Sequence, residues 1–261
     1  MTSPRLSGPP SASLHVIVTG ASSGLGRAIA RDLHGRGHRL VLAARRAEQL
    51  EALAAELSPA GHRVLAVPTD VGDPESRAAL IQRAQAVFGP LDVLVNNAGV
   101  GGSRGQTFWE LPLQEATVDI NLLALIDLTH QTLPGMVERG RGHIINVASV
   151  AGLIATEPLY SASKFGVRGF SLAVRRQLLG TGVHVSLVSP GFVRSEMTAD
   201  VRFPLPGPET VAHAVAGLLQ RPRREVVVPG AYRALVALER AWPRLGDLLV
   251  RQIMAQRRAP R

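Results

Sequence analysis

The chain of 261 residues contains no cysteine, and aromatic residues make up only 4% of it. Without cysteine, disulfides and thiolate metal sites are excluded. Histidines show ligand-like spacing only at His34 and His38, which flank glycines at a predicted helix end, so we expect no metal. No apolar run approaches the roughly 20 residues that a membrane-spanning helix requires.

The net charge of +9 raises the question of a nucleic-acid partner. The arginines are scattered, few aromatic residues lie between them, and the sequence contains no known DNA- or RNA-reading motif. We therefore expect no nucleic-acid partner. Residues 1–13 are small, polar and proline-rich, without the apolar stretch of a secretory signal, so they are predicted to form a disordered tail of a cytoplasmic protein.

Lysine is almost absent, because Lys164 is the only lysine among the 29 lysine and arginine residues. It follows Tyr160, one of just two tyrosines, by four residues. A solvated charge can be arginine or lysine with little difference, whereas a position that arginine cannot fill usually needs a compact ammonium. Chance on a surface helix is the alternative interpretation, and the pair alone does not exclude it.

Short apolar runs alternate with helical patterns along residues 14–230. The runs are continuous rather than alternating, which indicates strands of a parallel sheet that are buried on both faces. Strands are predicted at 14–20, 38–44, 62–70, 91–99, 142–149 and 183–191. Helices are predicted up to Gly35 and at 47–57, 73–89, 112–138 and 158–179. The predicted fold class is α/β, a doubly wound parallel sheet in a single domain that binds ligands at its carboxyl edge.

The first predicted strand ends in a glycine-rich turn, TGASSGLG, at residues 19–26. Gly20, Gly24 and Gly26 lead into a helix whose N-terminus offers unpaired N–H groups and a positive dipole end to a pyrophosphate. The turn is not a P-loop, since Arg27 follows Gly26. The residues around Ser22 also match G-x-S-x-G, the nucleophile-elbow motif of hydrolases. A serine hydrolase therefore remains an alternative, although such an elbow normally follows several strands.

The second predicted strand ends at Ala44, and Arg45 and Arg46 follow it directly. An NAD enzyme would have an acidic residue here to bind the ribose 2′-hydroxyl. The missing acid and the two arginines together suit a 2′-phosphate, so we expect NADP(H) to be preferred over NAD(H). Two solvated surface arginines are the alternative interpretation.

Taken together, these motifs resemble those of the short-chain dehydrogenase/reductase family, in its 250-residue form. The shared features follow the family's order and spacing over residues 14–195. They are TGASSGLG (19–26), Asp70-Val71, NNAG (96–99), Asn121, Ser149, YSASK (160–164) and Pro190-Gly191. The resemblance implies a seven-stranded parallel sheet, with REVVVPG (224–230) as its last strand.

The resemblance also implies the catalytic roles. Tyr160 would exchange a proton with the substrate oxygen, and Ser149 would hold and polarise the carbonyl. Lys164 would bind the nicotinamide ribose and, as a nearby cation on the same helix face, lower the pKa of the Tyr160 phenol. Asn121 would support a water-linked proton path to Lys164.

The cofactor site that the resemblance and the arginines imply extends over several loops. It is expected to comprise Gly20, Ser22, Ser23, Gly24, Leu25, Gly26, Arg45, Arg46, Asp70, Val71, Asn97, Ala98, Gly99, Tyr160, Lys164, Pro190, Gly191, Val193 and Ser195. Asp70 and Val71 would meet the adenine and Asn97 its ribose, while Pro190, Gly191 and Val193 would flank the nicotinamide.

The substrate is predicted to be a small molecule, an apolar ketone or secondary alcohol of steroid, lipid or ketoacyl type. Apolar residues after Pro190-Gly191 and beside Ser149 and Tyr160 support this; they are Leu153, Ile154, Leu159, Phe192, Met197, Phe203 and Leu205. A catalytically silent NADP-binding sensor on the same fold is an alternative. The family resemblance further implies a homodimer or homotetramer.

The segment 231–261 is predicted to be a helical extension of the catalytic domain at 14–230. Leu235, Leu238, Trp242, Leu245, Leu249 and Ile253 recur at spacings of three and four, with arginines between them. Pro243 should break the segment into two helices. This basic amphipathic pair is expected either to pack over the substrate loop or another subunit, or to contact a membrane surface.

Overall fold

The computed structural model describes residues 13–101, 108–110, 115–199, 201 and 204–258. The side chains of Glu110 and of residues 253–258 lie outside the described part of the chain. So do residues 1–12 of the predicted tail at 1–13, and the predicted substrate-loop residue Phe203.

A seven-stranded parallel sheet forms the centre of the molecule. Its strands are β1 (His15–Thr19), β2 (Arg39–Ala44), β3 (Val64–Pro68), β4 (Val93–Asn96), β5 (Gly142–Val147), β6 (Val183–Pro190) and β7 (Glu225–Val228). They lie in the order β3-β2-β1-β4-β5-β6-β7. The order reverses between β1 and β4, and the carboxyl ends of these two strands border the crevice in which such folds bind ligands. The predicted fold class is confirmed.

Helices cover both faces of the sheet. They are α1 (Gly24–Gly35), α2 (Ala47–Leu57), α3 (Pro74–Phe88), α4 (Glu115–Val118), α5 (Ala124–Glu138), α6 (Pro158–Gln177), α7 (Glu209–Gln220), α8 (Tyr232–Ala241) and α9 (Pro243–Arg258). A π-helical segment, Asp119–Leu123, joins α4 to α5. Because neighbouring side chains of a strand point to opposite faces, Val16 and Val18 of β1 pack in one core cluster and Ile17 in another. Fully burying each such side chain stabilises the fold by about 1.5–3 kcal/mol.

Helix α3 begins and ends where its local sequence predicts. Asp73 accepts hydrogen bonds from the backbone N–H groups of Glu75 and Ser76, and Pro74 occupies the first turn. Gly89 ends the helix at a φ of 76°, a conformation that side chains disfavour. The helix leaves Arg77 buried, where it forms an ion pair with Asp127 of α5.

The C-terminal segment forms two helices, as predicted, and the break is at Trp242, directly before Pro243. The predicted apolar stripe is confirmed only in part, since Leu235, Leu238 and Leu249 are half-buried and Leu235 packs on a buried cluster. Val236 is the buried side chain of α8, where it packs against Val150, Leu153 and Ile154, whereas Trp242 and Leu245 are exposed. The side chain of Ile253 lies outside the description. None of the described helices is long and apolar enough to cross a membrane.

Candidate active site

The glycine-rich turn between β1 and α1 is shaped for a close approach to an anion. Gly20 and Gly24 have φ angles of 66° and 51°, which favour glycine. A Cβ at Gly26 would collide with the carbonyl group of Gly20, so the third glycine keeps the helix close to the strand. The first turn of α1 carries no acidic residue, which leaves its positive end free of a competing carboxylate.

Thr19, at the end of β1, and Asn97, after the neighbouring strand β4, hold this turn in place. The Thr19 hydroxyl accepts hydrogen bonds from the backbone N–H groups of Asn97 and Ala98, at 2.9 and 3.0 Å. The Asn97 side-chain N–H donates to the Thr19 carbonyl at 2.9 Å. Asn97 therefore positions the turn, and its predicted contact with a ribose stays a prediction.

Arg46 lies across the turn. Its Nε donates to Ser22 Oγ at 3.2 Å and its Nη2 to Ser23 Oγ at 2.6 Å, while Nη1 forms a 3.4 Å ion pair with Glu196. Arg45 is exposed beside it. The Ser22 hydroxyl therefore faces a guanidinium, which cannot act as the general base that a hydrolase nucleophile needs.

A cleft of about 390 Å³ runs along the carboxyl edge of β1, β2, β4 and β5. Most of the predicted cofactor residues line it: Gly20, Ser22, Ser23, Gly24, Leu25, Gly26, Arg45, Arg46, Asp70, Val71, Asn97, Ala98, Gly99, Tyr160, Lys164 and Ser195. Pro190, Gly191 and Val193 are not part of this lining. Val193 is 3% exposed and packs in the core, so its side chain is not available to a ligand in this conformation.

Tyr160 and Lys164 lie one turn apart on α6, and both line the cleft. Lys164 Nζ is 5.8 Å from the centroid of the Tyr160 ring and donates to the Val147 carbonyl at 3.2 Å. The lysine is 5% exposed, and burial lowers its pKa to about 8. A Cβ at Gly99 would lie 3.0 Å from Asn121 Oδ1, so the small residue leaves room for this amide beside Lys164.

Asn121 is brought to the site by the π-helical segment before α5. Its Oδ1 accepts from the Val100 N–H at 2.8 Å. Its Nδ2 donates to the Val100 carbonyl at 3.0 Å and to Ser163 Oγ at 3.1 Å. The buried amide thus joins the loop after β4 to α6, beside Lys164.

Ser149 follows β5 and is half-buried. Its hydroxyl accepts from the Ala151 N–H at 3.1 Å and is 3.4 Å from the Pro190 carbonyl, to which it donates. The serine, Tyr160 and Lys164 thus come from the end of β5 and the helix that follows, and the predicted catalytic residues lie at one edge of the sheet.

Several neighbours of the site were not predicted. Buried Arg77 donates to the Val71 carbonyl and pairs with Asp127, which anchors the loop after β3. Glu196, Thr69 and Ile120 line the cleft in addition to the predicted cofactor residues, and so does Met197, which was predicted to lie near the substrate. Tyr232, the first residue of α8, contacts Gly191 and Phe192. Arg77, Asp127 and Tyr232 lie outside the sequence motifs, and long-range packing brings them to the site.

A dinucleotide fits these residues by its chemistry. The glycine-rich turn offers close backbone approach for a pyrophosphate, and two arginines lie at one end of the same cleft. At the other end a buried ammonium stands beside a phenol, an arrangement suited to proton exchange with a substrate oxygen.

Known proteins with these features are numerous, and the sequence model described as short chain dehydrogenase matches residues 14–204. The ketoacyl reductase HetN of Nostoc sp. is 39% identical over 222 residues, which cover 82% of this chain and 77% of HetN. A short-chain dehydrogenase/reductase from Burkholderia phymatum, solved in complex with NAD, superposes with a TM-score of 0.83 at 27% identity. The superposition covers 91% of this chain and 96% of the Burkholderia protein.

A variant of actinorhodin polyketide ketoreductase solved with NADPH has a TM-score of 0.76 at 33% identity, over 84% of this chain and 96% of its own. The family match spans well over half of the sequence, and the solved structures share the seven-stranded fold. The chain belongs to the short-chain dehydrogenase family and is an oxidoreductase.

Proposed function

We propose that the protein is an NADP(H)-dependent carbonyl reductase whose substrates are apolar ketones of the ketoacyl type. The observation that carries the proposal is the single cleft that joins Arg45 and Arg46 at one end to Tyr160 and Lys164 at the other. A cofactor that binds through its phosphates at the arginine end and extends along this cleft would bring its nicotinamide to the tyrosine.

The preference for NADP(H) rests on the residues at the end of β2. Arg46 is already held by two serine hydroxyls of the pyrophosphate turn, so its guanidinium is oriented rather than free in solvent. A 2′-phosphate would gain charge-assisted hydrogen bonds there. The residues directly after β2 are arginines, where an NAD enzyme would have an acidic residue to accept a hydrogen bond from the ribose 2′-hydroxyl. Similar proteins have been solved with NAD and with NADPH, so this chain's own residues must decide the preference.

In the proposed reaction, the carbonyl carbon of the substrate would receive a hydride from NADPH held in the cleft. The Tyr160 hydroxyl donates its proton to the carbonyl oxygen, and the Lys164 ammonium stabilises the phenolate that this leaves. The Ser149 hydroxyl turns from the Pro190 carbonyl to donate to the substrate oxygen. Asn121 keeps the loop after β4 against α6, and a water on its amide would return a proton towards Lys164.

The proposed substrate class draws on two similar proteins, a ketoacyl reductase and a polyketide ketoreductase by their names. Met197 provides an apolar side chain on the cleft. Leu153 and Ile154, which we expected beside the substrate, are instead buried against Val236 of α8, so they do not support an apolar substrate wall in this conformation.

We also propose that the enzyme is a cytoplasmic homodimer or homotetramer. Leu123 of the π-helical segment and Phe165 of α6 are 51% and 43% exposed, and a subunit contact would bury them. The division of the chain into a tail at 1–13, a catalytic part at 14–230 and an extension at 231–261 stays a prediction.

The test is a reductase assay on the purified full chain with acetoacetyl-coenzyme A and ethyl acetoacetate as probes. Loss of reduced-nicotinamide absorbance is followed with NADPH and with NADH, and the alcohol product is identified by mass spectrometry. We expect carbonyl-dependent oxidation of NADPH that Tyr160→Phe abolishes. If a wider panel of ketones and alcohols gives no turnover although NADPH binds, the silent-sensor alternative takes the place of this proposal.

A further inference from the structure

Tyr232 is the second of the chain's two tyrosines and the first residue of α8. A Cβ added to Gly191 would collide with the Tyr232 ring, and the three atoms nearest to that Cβ all belong to this ring. The Tyr232 hydroxyl accepts a hydrogen bond from the backbone N–H of Phe192 at 3.2 Å. The ring and the hydroxyl therefore contact two consecutive residues of the turn after β6.

The same ring joins this turn to the segment after the predicted catalytic serine. Tyr232 packs on the cluster that includes Val150, Leu153 and Ile154. On its other side, the turn is held by Ser149 Oγ, 3.4 Å from the Pro190 carbonyl, and by the bond from the Gly191 N–H to the Val228 carbonyl at 2.8 Å. The turn at 190–192 thus lies between Ser149 and the C-terminal helices.

We propose that Tyr232 is a positioning residue, which holds the turn at 190–192 against the nicotinamide and so sets the geometry of hydride transfer. This inference rests on the proposed function, because it requires the nicotinamide to lie at Pro190 and Gly191. Tyr232 does not line the cleft, so it acts through the backbone of the turn rather than on the reacting atoms. The C-terminal extension thereby becomes part of the catalytic apparatus.

A comparison of two ligands separates this role from general stabilisation. Adenosine 2′,5′-bisphosphate occupies only the arginine end of the cleft, whereas NADPH also carries the nicotinamide. We expect Tyr232→Ala to raise the Kd of NADPH about tenfold and to leave the Kd of the bisphosphate unchanged, since misplacement of a positioning group by about an ångström is felt at the reacting end. Tyr232→Phe keeps the ring and should raise the Kd of NADPH only about two- to threefold.

Val236→Ala is the matched control, because it removes buried apolar contact from the same helix without touching Gly191. It should lower the melting temperature while the ratio of the two Kd values stays that of the wild type. If Tyr232→Ala raises both Kd values equally, or neither, Tyr232 has no positioning role.

The second readout is kinetic. With acetoacetyl-coenzyme A as the probe, Tyr232→Ala should lower kcat at saturating NADPH by about tenfold or more, because the hydride is then transferred from a poorly held ring. Gly191→Ala should be similarly impaired, since its Cβ collides with the ring. The double variant Gly191→Ala/Tyr232→Ala should be about as active as either single variant, because both changes disrupt the same contact. Independent, multiplying losses in the double variant would overturn the proposal.

The two proposals fail in different ways. If the wild-type protein binds NADPH but reduces no carbonyl, the proposed function is wrong, and the Kd comparison still tests the contact of Tyr232 with the nicotinamide end. If the wild type reduces carbonyls and Tyr232→Ala keeps wild-type kcat and both wild-type Kd values, the proposed function stands and the role of Tyr232 is wrong.

Discussion

The two ends of the cleft differ in how far their functional side chains are buried. After the proposed position of the cofactor, we call the end at Arg45 and Arg46 the adenosine end and the end at Tyr160 and Lys164 the nicotinamide end. At the adenosine end the charged groups Arg45, Arg46, Asp70 and Glu196 are exposed. At the nicotinamide end Lys164 and Asn121 are 5% and 1% exposed, and both polar atoms of the Asn121 side chain have hydrogen-bond partners. The first end resembles an adaptable electrostatic surface, and the second resembles a protein core.

This difference has consequences for stability as well as for binding. Exposed ion pairs such as Arg46–Glu196 contribute about 0–1 kcal/mol and are screened by salt, so the adenosine end can change without harm to the fold. The buried Lys164 ammonium has the Val147 carbonyl as a hydrogen-bond partner, yet burial still lowers its pKa. We infer that burial of the Lys164 ammonium at the nicotinamide end lowers the stability of the fold but serves the reaction. The charged groups of the adenosine end carry no such cost.

The largest effect should come from Tyr160→Phe, which changes the chemistry and leaves the adenosine end intact. Loss of the proton donor should lower kcat for the ketone probe by about a thousandfold, within the usual range for general acid catalysis. The Kd of NADPH, measured by fluorescence titration, should stay within about twofold of the wild type, since no charge or packing is lost. A variant that keeps most of the wild-type rate would contradict the assignment of Tyr160.

The reverse pattern is expected for Arg46→Ala. Removal of its charge-assisted hydrogen bonds should raise the Kd of NADPH about ten- to a hundredfold and leave the Kd of NADH nearly unchanged. Arg45→Ala is the matched variant, because Arg45 is also exposed on the cleft. Equal losses of NADPH and NADH affinity would mean that Arg46 acts through the pyrophosphate turn rather than on a 2′-phosphate.

Lys164→Met tests whether burial of the ammonium lowers the stability of the fold. The folded-state pKa of about 8 is below the ordinary value of 10.5, so the unfolded chain binds the proton more tightly over that interval and wild-type stability rises with pH. Below pH 8 the full cost of burying the charge is present. The inactive Met variant should therefore be more stable than the wild type at pH 7, by about 3 kcal/mol.

This gain should shrink as the pH is raised from 8 towards 10.5. Chemical denaturation at pH 7 and pH 10, followed by circular dichroism, provides the measurement. A Met variant that is less stable than the wild type at pH 7 would show that the ammonium stabilises the fold through its bond to Val147, against our account.

The smallest effect is expected for Glu196→Gln, which breaks the exposed pair with Arg46. Arg46 should then be freer to bind a phosphate, so the Kd of NADPH should fall about twofold in low salt. High salt should remove the difference, because it screens the pair in the wild type. A large effect that persists in high salt would indicate that Glu196 contacts the cofactor or substrate directly.

The parts of the fold that depend on local sequence could be predicted. The caps of α3, Asp73 and Gly89, and the glycines of the turn after β1 act within a few residues of their own position. The pairing of Tyr160 with Lys164 follows from helical spacing in the same way. Continuous apolar strands then imply a parallel sheet, which brings their carboxyl ends to one edge.

The parts that depend on contacts between distant segments could not. The apolar spacing of the C-terminal segment suggested a stripe through Trp242 and Leu245, but tertiary packing buries Val236 instead. Asn121 was found by its resemblance to a family motif, whereas the π-helical segment that aims it has no signal in the sequence. The contact between Tyr232 and Gly191 spans 41 positions of the chain and is visible only in the folded protein.

The most direct test of the central claim is the ratio of kcat/KM for NADPH to that for NADH, measured on the wild type with saturating acetoacetyl-coenzyme A. If the exposed arginine end selects the cofactor and the buried tyrosine end performs the reduction, the ratio should exceed about ten, and Arg46→Ala should bring it towards one. A wild-type ratio near one, or a ratio in favour of NADH, would contradict this account.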